Sequence, residues 1–174
     1  MFKGTYEYRV DGKGRLPVPA AFRRALAPGG ALVVTLLDQC LAAYPAEEWG
    51  KLEAQLVAMP AFSKPVKALT RRLASRAADC ALDVQGRILL PTGLRAAAGL
   101  ATAVVIVGVL NRFEIWAPET WTSFLADSER LLDDVSMDLQ WPLPALIPSL
   151  PPKRLPGAVA SPREPSRPQT KPKR

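Results

Sequence analysis

The chain has 174 residues, 48% apolar and 22% charged, with a formal net charge of +7 and no histidine. That size allows one domain or two very small ones, and the apolar fraction excludes a wholly disordered chain. The lack of histidine removes every His-based triad, His general base and His-containing metal site.

No apolar run reaches the ~18–20 residues of a membrane helix. The nearest, Ala96 to Leu110, is interrupted by Gly99, Thr102 and Gly108. The start, Met1-Phe2-Lys3-Gly4-Thr5-Tyr6-Glu7, has no apolar stretch of the secretory type, so a cytoplasmic protein is expected. Cys40 and Cys80 form no CxxC pattern. They read as small buried apolar residues, not as a zinc site or a disulfide.

In chain order, Thr5 to Val10 alternates as a strand, with Tyr6, Tyr8 and Val10 on one face and Glu7 and Arg9 on the other. Asp11-Gly12-Lys13-Gly14 is a tight turn, and Arg15 to Val18 returns as a second strand. Pro19 opens a short helix with Phe22 and Leu26 on its apolar side, which Pro28-Gly29-Gly30 ends. Ala31 to Leu37 and Leu41 to Tyr44 form a buried hairpin around Asp38-Gln39. A helix then runs from Pro45 to about Ala58, with Trp49, Leu52 and Leu56 inward. Val66, Leu69, Leu73 and Ala77 mark one face of a linking helix, with Lys67, Arg71, Arg72 and Arg76 mostly turned away. After the same series of elements again, Trp121, Phe124, Leu125, Leu132 and Val135 mark a closing helix.

The second series is a copy of the first, displaced by 72 positions without a gap. Asp11, Gly14, Arg15, Leu16, Val18, Pro19, Phe22 and Arg23 match Asp83, Gly86, Arg87, Ile88, Leu90, Pro91, Leu94 and Arg95. Val33-Val34 matches Val105-Ile106, and Tyr44, Glu47 and Trp49 match Trp116, Glu119 and Trp121. Each copy reads Asp-x-x-Gly-Arg-apolar-x-apolar-Pro-x-x-apolar-Arg. A unit of ~70 residues is small for independent stability, so the two copies are expected to share one core as a pseudo-symmetric domain.

The net charge is concentrated at the C-terminal end. Residues 141–174 carry Lys153, Arg154, Arg163, Arg167, Lys171, Lys173 and Arg174 against Glu164 alone, and hold more than half of the chain's 18 prolines. This segment is expected to be a largely disordered basic tail that attracts phosphates without reading sequence. The remaining boundaries are 1–60 for the first repeat, 61–78 for the linking helix and 79–140 for the second repeat.

At Met1-Phe2-Lys3-Gly4, at Asp11-Gly12-Lys13-Gly14-Arg15-Leu16-Pro17-Val18-Pro19, at Cys40-Leu41-Ala42-Ala43-Tyr44-Pro45 and at their second-copy counterparts, the sequence resembles the MraZ family of bacterial regulators. The resemblance covers about residues 1–135. It implies an α+β, mainly β fold. Two tandem swapped-hairpin units of the AbrB/MazE type would form one pseudo-two-fold domain with flanking helices. It further implies a ring-shaped homo-oligomer, cytoplasmic and nucleoid-associated. Such a protein would bind double-stranded DNA at short direct repeats upstream of its own cell-division and cell-wall operon, as a repressor. The family's Asp-x-x-x-Arg hairpins map onto Asp11, Lys13 and Arg15, and onto Asp83 and Arg87. The second turn departs from the first in carrying Gln85 in place of Lys13, and the tail lies outside the family pattern.

Two readings of this motif stand side by side. Arg15 and Lys13 sit on a turn flanked in sequence by Lys3, Arg9, Arg23 and Arg24, and a ribbon bearing them could enter a major groove. Alternatively, Asp11 and Arg15 form an ion pair that closes the turn, a role that suits a motif repeated in both copies. Both are kept. Asp11, Gly14, Asp83 and Gly86 shape the loops, Lys3, Lys13, Arg15, Arg23, Arg24 and Arg87 are candidate DNA contacts, and for Arg87 the structural role is placed first. Arg71, Arg72 and Arg76 read as a solvated helix face, and Trp49, Trp121, Tyr44 and Trp116 as core. No cofactor, metal, membrane or small-molecule substrate is expected, and no enzymatic activity. The rival classes are a MazE-like antitoxin and a ring-forming scaffold without specific DNA binding.

Overall fold

A computed structural model describes residues 1–27, 29–60 and 62–135. The expectations for the tail 141–174, and for the side chains of Leu132 and Val135, lie outside the described residues. Residues 1–131 form one unit.

The first copy contributes β1 (Thr5–Arg9), β2 (Arg15–Pro17), α1 (Ala20–Arg23), β3 (Ala31–Leu37), β4 (Cys40–Pro45) and α2 (Ala46–Ala58). After α3 (Lys64–Ala74), the second copy contributes β5 (Ala78–Ala81), β6 (Arg87–Leu89), α4 (Thr92–Ala97), β7 (Ala103–Val109), β8 (Arg112–Trp116) and α5 (Pro118–Val135). β6 and β7 begin and end 72 positions after β2 and β3. Positive backbone φ recurs at the same spacing, at Gly14 and Gly86 and at Asp38 and Leu110.

Pairing crosses between the copies. The six-stranded sheet runs β1-β7-β8-β4-β3-β5, and β2 pairs with β6 as a separate two-stranded ribbon. β1 therefore lies against β7 of the other copy, from Thr5↔Val107 to Arg9↔Ala103, and β5 lies against β3. The tight turn at Asp11 predicts Arg15 to Val18 as a strand that returns after Thr5 to Val10. The turn between them is present, but beyond the Asp11 N–H bond to the Arg15 carbonyl (2.9 Å) the chain leaves β1 and pairs with the other copy. Swapping gives each short β2 and β6 a partner that a lone unit could not supply, because two three-residue strands cannot stand without a core.

β3 and β7 are short β-branched-rich runs buried on both faces, as expected for strands inside a covered sheet. Leu32, Val34, Leu41, Ala43, Ile106, Phe113 and Ile115 face the main core, where they meet Leu16 and Ile88 of the ribbon, all 0% exposed. Phe22 of α1 closes that core, its ring 5.2 Å from Phe2 and 5.4 Å from Phe113. Both cysteines are buried free thiols.

The opposite face of the sheet distinguishes the copies. In the first copy α2 and α3 cover Val33, Ala42 and Tyr44 through Trp49, Leu56 and Leu73, and the Thr35 hydroxyl donates to the Leu73 carbonyl (3.0 Å). In the second, the described part of α5 covers Val105 and Trp116 with Trp121 and Phe124, and Phe124, Leu125 and Leu131 stay exposed. Trp49, Tyr44 and Trp116 are core as expected. Trp121 is only half-buried, because among the described residues nothing lies over the second copy as α3 lies over the first.

Candidate nucleic-acid interface

Each turn is organised by one aspartate. Asp11 Oδ1 accepts from the backbone N–H groups of Lys13 and Arg15, both at 2.9 Å, while Oδ2 accepts from Arg15 Nε at 2.7 Å. Asp83 does the same, taking Gln85 and Arg87 N–H at 2.9 Å and Arg87 Nε at 2.8 Å. Gly14 N–H donates to the Asp11 carbonyl and Gly86 N–H to that of Asp83, at φ values of +84° and +74° that favour glycine. The donors around each carboxylate, led by the Arg15 backbone N–H, hold the Asp11 pKa down at about 2. The Arg87 side-chain bond leads the lowering at Asp83. Both stay ionised at neutral pH.

The turns are joined by the ribbon. Arg15 pairs with Leu89, Leu16 with Ile88 and Pro17 with Arg87. The ladder continues at both ends, where Val18 N–H donates to the Gly86 carbonyl (3.0 Å) and Leu90 N–H to that of Gly14 (2.9 Å). Side chains alternate across a strand, so Leu16 and Ile88 go into the core. Arg15, Pro17, Arg87 and Leu89 form the outer face, with Leu89 58% exposed. Arg15 and Arg87 thus serve both readings at once. Arg15 spends Nε on its aspartate and Arg87 both Nε and Nη2, the latter 2.7 Å from Asp83 Oδ2, and their side chains remain 34% and 23% exposed. A guanidinium held by one edge is pre-oriented to use its other donors outward.

The remaining candidates do not gather as their sequence order suggests. Lys13 is exposed at the tip of the first turn. Lys3 lies beside Gly108, near the β7–β8 turn, at the other end of β1. At about 3.3 Å per residue that is roughly 26 Å along the strand from the Asp11 turn, so it does not join the cluster. Arg24 is exposed at the C-terminal end of α1. Arg23 does not flank its own turn: strand swapping carries α1 to the second one, where the Arg23 guanidinium lies against Gly86. Arg95, absent from the sequence-based candidates, occupies the matching position against Gly14. Its period-72 match to Arg23 was the signal that could have found it. Among the described residues no group of three or more Cys, Asp or Glu is placed to hold a metal ion, and no helix is long and apolar enough to cross a membrane.

The sequence matches the family described as "MraZ protein, putative antitoxin-like" twice, over residues 1–72 and 73–139. It is 44% identical over 140 residues to a protein of Ligilactobacillus salivarius named "Transcriptional regulator MraZ", covering 80% of this chain and 96% of that protein. Proteins of the same name from Lactiplantibacillus plantarum and Halothermothrix orenii are 44% identical over 140 residues and 40% identical over 141. Each alignment covers 80% of this chain, with 98% and 97% of the relative.

Proposed function

This chain belongs to the MraZ family and is a regulator of transcription, and we propose that it acts by binding specific double-stranded DNA through the β2–β6 ribbon and its two turns. The observation that carries this reading is the pair of matched turns. Each holds an arginine by one edge on the outer face of a ribbon of suitable width for a major groove. Arg15 and Arg87 are the base-reading groups, and Lys13 and Arg24 supply phosphate contacts. The target is a set of short direct repeats upstream of the chain's own operon, bound as a repressor. Selection of duplexes from a random pool, followed by footprinting upstream of the gene, tests this. A recovered motif that recurs there supports it, and recovery of no motif overturns it.

One ribbon contacts few base pairs, so specificity requires several subunits on spaced repeats, where linked sites gain effective concentration. Two sets of exposed apolar side chains, one among cations and one on α5 where Asp127 and Glu129 outnumber Arg130, favour a head-to-tail assembly that closes into a ring. Val57, Phe62 and Leu69 are exposed beside Lys64, Lys67 and Arg71. Phe124, Leu125 and Leu131 are exposed on α5 beside Asp127 and Glu129. Phe124→Asp is expected to reduce the assembly to smaller species by light scattering. An unchanged mass removes α5 from the interface.

A further inference from the structure

The two glycines of the turns are buried although they stand at the surface ends of the ribbon. What buries them comes from the other copy. A Cβ built on Gly14 would meet Arg95 Nη2 at 3.0 Å, Cζ at 3.1 Å and Nε at 3.2 Å. Three guanidinium atoms at nearly one distance mean that the plane lies flat over the glycine. Arg95 is fixed there by its own bonds, Nε donating to the Leu90 carbonyl and Nη2 to Thr92 Oγ1, each at 3.2 Å. Leu90 N–H in turn donates to the Gly14 carbonyl. At the second turn a Cβ on Gly86 would overlap the Arg23 guanidinium and come within 2.6 Å of Arg23 Cδ.

We propose that each turn is completed by an arginine of the opposite copy, Arg95 over the Lys13–Arg15 turn and Arg23 over the Gln85–Arg87 turn, and that these two arginines are positioning residues for Arg15 and Arg87. As a statement about DNA recognition this rests on the reading of the ribbon given above, but the clasp itself does not. Glycine is required at positions 14 and 86 for two separate reasons, the positive φ and the guanidinium plane above it. The clasp also ties the copies together at the two ends of the ribbon, where a short ladder would otherwise fray. Lysine cannot replace either arginine, because a flexible ammonium offers no plane to lie over the glycine.

Hydrogen exchange of the full chain without DNA, read by mass spectrometry on peptides covering 10–18 and 82–90, tests the clasp. Arg95→Ala is expected to speed exchange at Lys13 to Arg15 severalfold while Gln85 to Arg87 keep their rates. Arg23→Ala is expected to do the reverse. Faster exchange in the variant's own copy, equal loosening of both turns, or no change overturns the proposal. A general loss of packing would move both turns together, so the crossed pattern is what a merely structural role does not produce. Melting temperatures give a second measurement. Gly86→Ala is expected to recover more of its lost melting temperature on addition of Arg23→Ala than Gly14→Ala recovers with Arg95→Ala, because the contact at Gly86 is tighter. No recovery in either pair overturns the contact. The consequence for recognition is read with a duplex recovered by random-pool selection. Arg95→Lys, which keeps the charge, is expected to lose preference for that duplex over a scrambled one as Arg95→Ala does. Rescue by lysine would make Arg95 a phosphate contact and overturn the positioning role. If no duplex is selected at all, the DNA reading fails while the exchange result still decides the clasp.

Discussion

The turn at Asp11 and the turn at Asp83 have the same hydrogen bonds to within 0.1 Å, yet they present different chemistry. The first carries Gly12 and Lys13 and lies under Arg95, so three cations meet there with Arg15. The second carries Val84, fully exposed, and Gln85, and there Arg23 joins Arg87. Duplication has kept the backbone device and varied the two residues that the device does not use. The aspartate needs only backbone N–H groups from positions 13 and 85, so the side chains there are free to differ. On the proposed DNA reading, one scaffold then offers a cationic end suited to guanine and phosphate, and an amide and methyl end suited to A·T pairs.

The largest expected effect is at the first turn. Arg15→Ala should weaken binding to a selected duplex by about 1–3 kcal/mol, roughly 5- to 150-fold, at each engaged contact. Circular dichroism should stay unchanged, because Asp11 Oδ1 keeps its two backbone donors. Arg87→Ala should cost less, since the second turn has fewer cations around it. Equal losses measured by fluorescence anisotropy would erase the distinction between the turns, and unfolding of Arg15→Ala would reduce that residue to a turn-closing ion pair.

Exchanging the variable residue should shift the salt dependence rather than the fold. Gln85→Lys is expected to steepen the log K against log [salt] slope by about 0.9, and Lys13→Gln to flatten it by about 0.9. Val84→Ser should leave that slope alone and weaken preference only at A·T positions of the bound site. A slope that ignores both exchanges would place the turn tips away from the phosphates.

Acid stability is the smallest effect. Asp11 is held at about 2 against an ordinary value of 3.8, and Asp83 is also lowered. A carboxylate lowered in the folded state adds stability above its unfolded pKa and loses it as the pH falls through the folded value. Melting temperature should therefore drop between about pH 4 and pH 2. Asp11→Asn should flatten that limb more than Asp83→Asn, and identical acid limbs in both variants would contradict the difference between the two sites.

Much of this was legible in the chain. Local chemistry wrote the turns, because Asp followed by Gly and Arg has few other ways to satisfy a carboxylate and a positive φ. Alternation and length wrote the β3–β4 hairpin, whose Leu37↔Cys40 pairing leaves Asp38-Gln39 as a two-residue turn. The depth of the helices was less legible. Leu69 shares a face with Leu73 in α3 but is 43% exposed, since periodicity gives the side of a helix that is apolar and not how far it sinks.

By itself the sequence determined the duplication, the two aspartate-organised turns, the order of strands and helices, and the core residues of the strands. Each depends on contacts within a few positions or on periodicity along one element. Which strands pair was decided only in three dimensions. A short strand such as Arg15–Pro17 pairs equally well with a neighbour in sequence or with its copy, and the larger shared core selects the swap. That choice moved Arg23 to the other copy's turn, brought Arg95 to the first, and left Lys3 at the far end of β1. Side chains reach a site through the packing of whole elements, and linear proximity on the chain does not encode that packing.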